Sequence, residues 1–429
     1  MQVGEGALFL ATAATACAAA LGIAGALDAR PPLVDIARRL QVVSATCIAL
    51  ALLVLAMAFW RSDFSLRIVA DNSSVVLSRP VALVALWTTP AGWLLLVALG
   101  VALVAVLVRH GAGVDDDRML ASGMVAALVL VLLLMLLRGQ NPFAISTTVP
   151  PDGRGLDSRW HLSWPAIAPL GAALAAAVLA APAALALAWL ARGGSATRCA
   201  VALRRWLALA VLCLTIAMLL RFAAEFAEQD SLDWPVRAAR HPVVLLWVAC
   251  TVALGLVESR PAFRAPERWR RISLPLVVAG VLALLLSATG VAFRSERTAI
   301  VMAGRSTAAT DPFGRRWSFV GQGISTFAGV ASQTRSVPVD VRIGDTRRGI
   351  VATELRRYAN ALDQEWYPPR VESGRLSVIG ETLTITLLHI VGEDSAAVRF
   401  AFYPLLGALW VGGALIAAGA AFLAAPDSR

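Results

Sequence analysis

Nine apolar runs, each close to the length of a membrane span, constrain this chain before any other feature does. A helix rising about 1.5 Å per residue needs about 20 such residues to cross a hydrocarbon core about 30 Å thick. The runs are Ala7 to Leu27, Val42 to Trp60, Pro90 to Val108, Met119 to Leu137, Trp164 to Leu190, Trp206 to Phe226, Pro242 to Val257, Ile272 to Phe293 and Pro404 to Ala425. Composition agrees: 58% of the 429 residues are hydrophobic and 15% charged, with mean hydropathy +0.72. Soluble domains carry about a quarter charged residues. The expected fold is an all-α polytopic membrane protein of about nine transmembrane helices with a small extracytoplasmic β domain.

The net charge of +10 is carried by arginine alone, because the chain has no lysine. Short arginine-dense loops follow the first, fifth and seventh runs: Arg30, Arg38 and Arg39; Arg192, Arg198, Arg204 and Arg205; then Arg260, Arg264, Arg268, Arg270 and Arg271. The positive-inside rule places these loops in the cytoplasm, and it accounts for the charge without nucleic-acid binding. The first run is preceded by Glu5 and followed by arginines, the reverse of a signal peptide's charge order. It is expected to be a retained span, with the N-terminus outside and the C-terminus cytoplasmic. None of the five cysteines has a CxxC spacing, so neither a disulfide framework nor a thiol redox site is indicated.

Between the last two runs lies the one sizeable non-membrane stretch. Val337, Val339, Val341 and Ile343 alternate as in a strand, with Pro338 pushing that strand towards an edge. Ile350 to Tyr358, Thr382 to Val391 and Ala397 to Phe402 read as further strands. The expected division is residues 1–293 for eight spans, 294–401 for an extracytoplasmic β domain, and 402–429 for a last span and short tail.

A polar loop, NPFAISTTVPPDGRGLDSRWHLSWPAIAPLG, runs from Asn141 to Gly171 between two apolar runs. Irregular backbone cannot lie in hydrocarbon, so the loop belongs at a membrane surface. Asp152-Gly153-Arg154-Gly155 lacks the preceding strand and following Lys/Ser of a P-loop and reads as a turn whose Asp and Arg hold the loop together. Asp115, Asp116 and Asp117 diverge in direction and sit beside Arg118, which is a solvated turn rather than a metal site. The spans hold almost no ionisable groups apart from Arg221 and Glu225, which argues against ion-coupled transport.

The order of these motifs resembles the CcmF family, the membrane subunit of cytochrome c maturation, of which this chain reads as a shortened and divergent member. Asn141-Pro142-Phe143, Asp152 to Leu156 and Gly171 match that family's NPF, DGRxL and closing glycine, while Trp164 stands at its haem-ligand histidine. Trp60 to Ser65 is similar to RxDFSV, Val81 to Leu96 to the family's KLAALWGGHEGSLLLW, Gly280 to Thr298 to GVxLLLLGVxxSSxYSEER, and Trp410 to Gly413 to WLGG. The family's tryptophan-rich haem loop corresponds here to Phe226 to Trp247, in which Trp234, Pro235 and Trp247 survive.

The resemblance implies a bacterial inner-membrane component of cytochrome c biogenesis. It implies haem as the ligand, and a haem chaperone, apocytochrome c and other maturation subunits as partners. No span contains a histidine; of the four in the chain, His110 and His389 lie elsewhere, leaving His161 and His241 beside tryptophan-bearing loops. These two are the candidate iron ligands, with Trp160, Trp164 and Trp234 as the contact surface. The alternatives are two interfacial histidines bonded to backbone or water, and a haem-free member of the family serving as a scaffold or binding subunit. The remaining tryptophans near span ends, Trp60, Trp87, Trp93, Trp206 and Trp410, read as an interfacial belt.

Overall fold

In the computed structural model, residues 2–108, 116–147, 149–161, 163–191, 197–228, 242–259, 267–292, 294–329, 332–359, 366–378 and 380–424 are described. The helices are α1 (Gln2–Leu27), α2 (Pro31–Arg61), α3 (Arg67–Asn72), α4 (Arg79–Thr88), α5 (Pro90–Val108), α6 (Asp116–Gly139), α7 (Ser163–Ala191), α8 (Thr197–Glu228), α9 (Pro242–Ser259), α10 (Glu267–Ala292) and α11 (Gly407–Ala424). Each of the nine expected runs falls on one of them. Seven helices (α1, α2, α5, α6, α7, α8 and α11) are long and apolar enough to cross a membrane, whereas α9 and α10 carry shorter apolar stretches, Pro242–Glu258 and Arg271–Leu284. The chain is therefore a multi-pass membrane protein, with seven helices of spanning length and two shorter apolar helices among the described residues at the nine expected runs.

Two groups of helices pack against each other. Helices α1, α2, α5 and α6 share a core with α7, and α8 packs on α7, α9 and α11. Small residues allow close approach: a Cβ built on Gly22 of α1 would lie 3.3 Å from Gly123 Cα of α6. Buried hydroxyls and one amide add interhelical hydrogen bonds. Gln41 of α2 donates to Ser122 Oγ at 3.0 Å, Ser122 donates to the Ala105 carbonyl at 2.7 Å, and Thr15 and Ser44 pair at 2.5 Å.

The stretch between α10 and α11 is a β-sandwich. One sheet has the order β1-β10-β9-β8 and the other β2-β3-β5-β6-β7, with β4 also pairing β5. The strands are β1 (Ser295–Met302), β2 (Ser306–Thr310), β3 (Arg316–Gly321), β4 (Ser325–Ala328), β5 (Ser332–Ile343), β6 (Thr346–Tyr358), β7 (Arg370–Glu372), β8 (Gly374–Val378), β9 (Glu381–Ile390) and β10 (Ser395–Pro404). Alternate residues of each sheet face the core, where Phe319 stacks on Phe400 at 4.0 Å and Trp317 meets Phe402 edge-on at 5.3 Å.

The strand holding Pro338 is central, not at an edge. On the side facing β3 and β4, β3 pairs with residues 339–343 and β4 with residues 333–336. Pro338 falls in the gap between them, where the missing N–H breaks no ladder and its carbonyl accepts the Gln322 N–H at 3.0 Å.

A carboxylate cluster closes one end of the sandwich. Arg315 bridges the buried carboxylates of Asp311 and Glu381, and Trp317 donates to Asp311 at 2.9 Å. Burial, then the neighbouring Asp311, push Glu381 up to about 7. Burial alone would raise Asp311, but hydrogen bonds from Trp317 and Arg315 outweigh it and hold that carboxyl low. A raised carboxyl gives its full contribution to the folded state below its unfolded value and loses it as pH rises through its folded value, so stability falls from about pH 4.5 towards 7, by at most about 3 kcal/mol. The melting temperature in detergent is expected to drop from about pH 5 to about pH 8, and Glu381→Gln is expected to remove most of that drop. Superimposable pH profiles for the two proteins would refute this assignment.

Candidate functional site

The polar loop between α6 and α7 is built onto the end of the bundle by backbone pairing. Phe143 is buried against α1, where a Cβ at Gly4 would come within 2.3 Å of its ring. Asn141 turns the chain by accepting the Phe143 N–H at 2.9 Å and reaches Glu5 at 3.3 Å. Further along, the Asp152 carboxylate accepts from Ser74 Oγ at 3.0 Å, from the Val75 N–H at 2.8 Å and from the Gly153 N–H at 2.7 Å. The Arg154 and Gly155 N–H groups donate to the Ala70 and Ser73 carbonyls, which satisfies acceptors at the end of α3. Arg154 Nε lies 4.0 Å from Asp71. Gly153 is confined to glycine because a Cβ would sit 2.0 Å from the Ser73 carbonyl oxygen, and Gly155 adopts φ +90°.

The loop then meets the β-sandwich. Tyr367 donates to the carbonyls of Arg154 and Gly155, each at 3.2 Å. His161 closes a short 3₁₀ turn, Ser158–His161, and its ring stacks on Tyr358 of β6 at 3.6 Å and 12°. Its Nε2 lies 3.2 Å from the Leu156 carbonyl, which can only accept, so Nε2 carries the proton and the lone pair is on Nδ1. Burial pushes the His161 pKa down to about 4 against the opposing pull of that hydrogen bond, so the imidazole is neutral at physiological pH.

Beside this turn lies a cavity of about 400 Å3, lined by Trp87, Thr88, Thr89, Pro90 and Trp93 from the α4–α5 corner, Trp160, the first turns of α7, Ala217 and Arg221 of α8, and Val243 of α9. Two of its indoles are fixed by their N–H groups: Trp87 donates to the Ala166 carbonyl at 2.7 Å and Trp93 to the Pro169 carbonyl at 3.0 Å. Gly171 lets α7 approach α8 here, since a Cβ would lie 2.8 Å from Leu220 and 3.3 Å from Ala217 Cα. Arg221 is the one charged residue in the lining. It pairs with the buried Glu225 one turn on, and its Nε is buried without a hydrogen-bond partner among the described residues.

Trp160 and His161 are thus neighbours at this site, but only Trp160 lines the cavity. Trp164 lies on the first turn of α7, with its side chain outside what is described; His241, Trp234 and Pro235 lie outside the described residues altogether, as do His110 and Asp115. His389 is exposed on β9. No group of three or more metal-ligating side chains occurs among the described residues. The residues that sequence reasoning missed are Trp87 and Trp93, assigned above to an interfacial belt. The signal was the Trp87-Thr-Thr-Pro-Ala-Gly-Trp93 corner, where a Thr-Pro break turns two indoles towards one space.

Fold and cavity together define a multi-pass helical membrane protein carrying a β-sandwich beside an indole-lined cavity at one end of its bundle. The same fold occurs in a solved structure described as Cytochrome c Heme Lyase CcmF, with a TM-score of 0.65 and 17% identity. The match covers 98% of this chain and 97% of that one, so it leaves no long unmatched block in either. No protein-family model matches the chain, and no curated protein matches it.

The loop geometry carries a direct test. Gly153→Ala is expected to cost about 1–3 kcal/mol or more, because the Ser73 carbonyl cannot move without disturbing the end of α3. Gly6→Ala, where a Cβ meets nothing within 4 Å, is the matched control and is expected to melt with the wild type. Equal melting temperatures for the two variants in detergent would show that the loop is not docked in this way.

Proposed function

We propose that this protein is a membrane component of cytochrome c biogenesis that holds haem, as substrate, at the indole-lined cavity. The observation that carries the reading is the coincidence of an end-to-end CcmF fold with an apolar aromatic cavity holding a single cation. The cavity walls suit a flat tetrapyrrole: the indoles of Trp87, Trp93 and Trp160 offer apolar faces, and the prolines and alanines of α7 exclude water. Arg221 complements a carboxylate on such a ligand, with Glu225 neutralising it when the cavity is unfilled.

Haem supplies the iron and the vinyl groups, and a partner apocytochrome supplies the thiols that join them. This chain's contribution is orientation and dryness. In this reading His161 and His241 are the candidate iron ligands, with Trp164 and Trp234 extending the contact surface. His161 is held neutral, the form a ligand must have, with its free lone pair on Nδ1. The reading places the protein in a bacterial inner membrane, with the N-terminus and sandwich outside and the arginine-rich loops and C-terminus in the cytoplasm. A haem chaperone, apocytochrome c and other maturation subunits are its partners.

A second reading, a haem-free scaffold or binding subunit with the same fold, is favoured by one observation. His161 already has structural work, stacked on Tyr358 and bonded to Leu156, and no second imidazole joins it among the described residues.

The absorption spectrum and pyridine haemochrome of the protein, purified in mild detergent from cells making haem, separate the two. A Soret band is expected, reduced severalfold in Trp93→Ala and Trp160→Ala and lost in a His161→Phe, His241→Ala double variant, in which Phe keeps the stack on Tyr358. A colourless protein that still co-purifies with membrane partners would establish the scaffold reading.

A further inference from the structure

A second recess of about 550 Å3 opens where α8, α11 and the β8–β9 edge of the sandwich meet. Its long wall is apolar and built from two helices of spanning length: Ile216, Leu219 and Leu220 of α8, and Trp410 of α11. Ile216 and Trp410 are exposed although both helices are spans, which sets the trough open to lipid. Its other end is polar, with Arg375 and Ser377 of β8 beside Thr382 of β9.

Arg375 is the informative residue. Its guanidinium lies over the Phe226 ring, 5.1 Å from the centroid, at the last turn of α8. It makes no ion pair among the described residues, and the nearby Glu372 carboxylate is taken by Arg356 at 2.9 Å. Burial pushes the Arg375 pKa down against the attraction of Glu372, so the fold keeps a half-buried cation without a bonded anion. The Ser377 and Thr382 hydroxyls line the same end and hydrogen-bond each other at 3.4 Å, which leaves one O–H of the pair free to donate.

We propose that this trough binds an anionic phospholipid, with its phosphodiester on Arg375 and that free O–H and an acyl chain along α8 and Trp410. Charge complementarity selects this occupant: an unpaired cation sits at the head of a trough that continues into the lipid-facing surface, and the match to a lipid's head-and-tail order is complete. A zwitterionic lipid would bring its own ammonium to the same phosphodiester and answer the guanidinium less well, and a soluble anion would leave the apolar wall bare.

Native mass spectrometry of the delipidated full-length protein, titrated with phosphatidylglycerol or phosphatidylcholine of the same chain length, tests this without reference to haem. One phosphatidylglycerol is expected to be retained in preference to phosphatidylcholine, by about fivefold for one cation at an anionic headgroup. Arg375→Gln is expected to abolish the preference, and Ser377→Trp, which fills the mouth from an exposed position, to lower retention of both lipids. Arg305→Gln, an exposed arginine remote from the trough, is expected to leave retention unchanged. Equal retention of the two lipids by the wild type overturns the proposal whether or not a variant folds, and so does a preference that survives Arg375→Gln. A colourless preparation that still selects phosphatidylglycerol would overturn the haem reading and leave this one standing.

Discussion

Helices α10 and α11 meet backbone to backbone, and the placement of everything between them depends on that contact. A Cβ at Gly280 would lie 2.7 Å from the Gly412 carbonyl oxygen, and one at Gly412 equally close to that of Gly280. Two turns away, a Cβ at Gly419 would lie 2.9 Å from the Ser273 carbonyl oxygen, so three glycines keep the pair in contact over several turns. Without apolar solvent exclusion to drive them together in lipid, helices associate through such close packing. The sandwich begins just after α10 and runs directly into α11, so the distance between its two ends is set by this crossing. The close β1–β10 pairing, Ser295 opposite Phe402, is the same constraint continued into the sheet.

From that fixed pair the sandwich reaches back over the bundle through three aromatic contacts. Phe226 at the end of α8 meets Tyr403 edge-on at 5.9 Å, Tyr358 stacks on His161, and Tyr367 bonds the Arg154 and Gly155 carbonyls. Each joins a strand or loop of the β region to a different part of the helical framework. The two recesses described above lie on either side of α8 at this junction, and α8 contributes its Arg221 face to one and its Phe226 face to the other.

Much of the fold was legible because hydrocarbon allows so few solutions. A run such as Pro90 to Val108 can only be a helix there, and it is one to the residue. Legibility faded where the chain leaves that regime. Helix α2 begins at Pro31, eleven residues before its apolar run, because Arg38 and Arg39 extend it beyond the hydrocarbon without breaking helix. Pro338 was expected at an edge because proline lacks a donor, yet the structure needs only a local gap in the partner strands, which sequence periodicity cannot show. Of the ten strands among the described residues, β5 was visible as alternation and β6, β9 and β10 as further strand-like runs, whereas the six shorter strands carry too few residues to show a pattern.

The site was legible in the opposite sense: its framework could be read and its lining could not. Asp152 and Gly153 carry their reasons locally, in turn geometry and in a carbonyl 2 Å from a hypothetical Cβ. Trp87 and Trp93 do not, because an indole at a span end looks the same in one dimension whether it faces headgroups or a cavity. What separates the two is the partner of the indole N–H. A belt tryptophan hands its donor to water and lipid, whereas Trp87 and Trp93 give theirs to the Ala166 and Pro169 carbonyls of another helix. Those bonds fix both rings, and fixed rings cannot turn outward to follow the interface. The cavity therefore keeps a defined shape next to Arg221, whose Nε is buried without a hydrogen-bond partner among the described residues, and in the reading proposed above an anionic group of the ligand would meet that side chain.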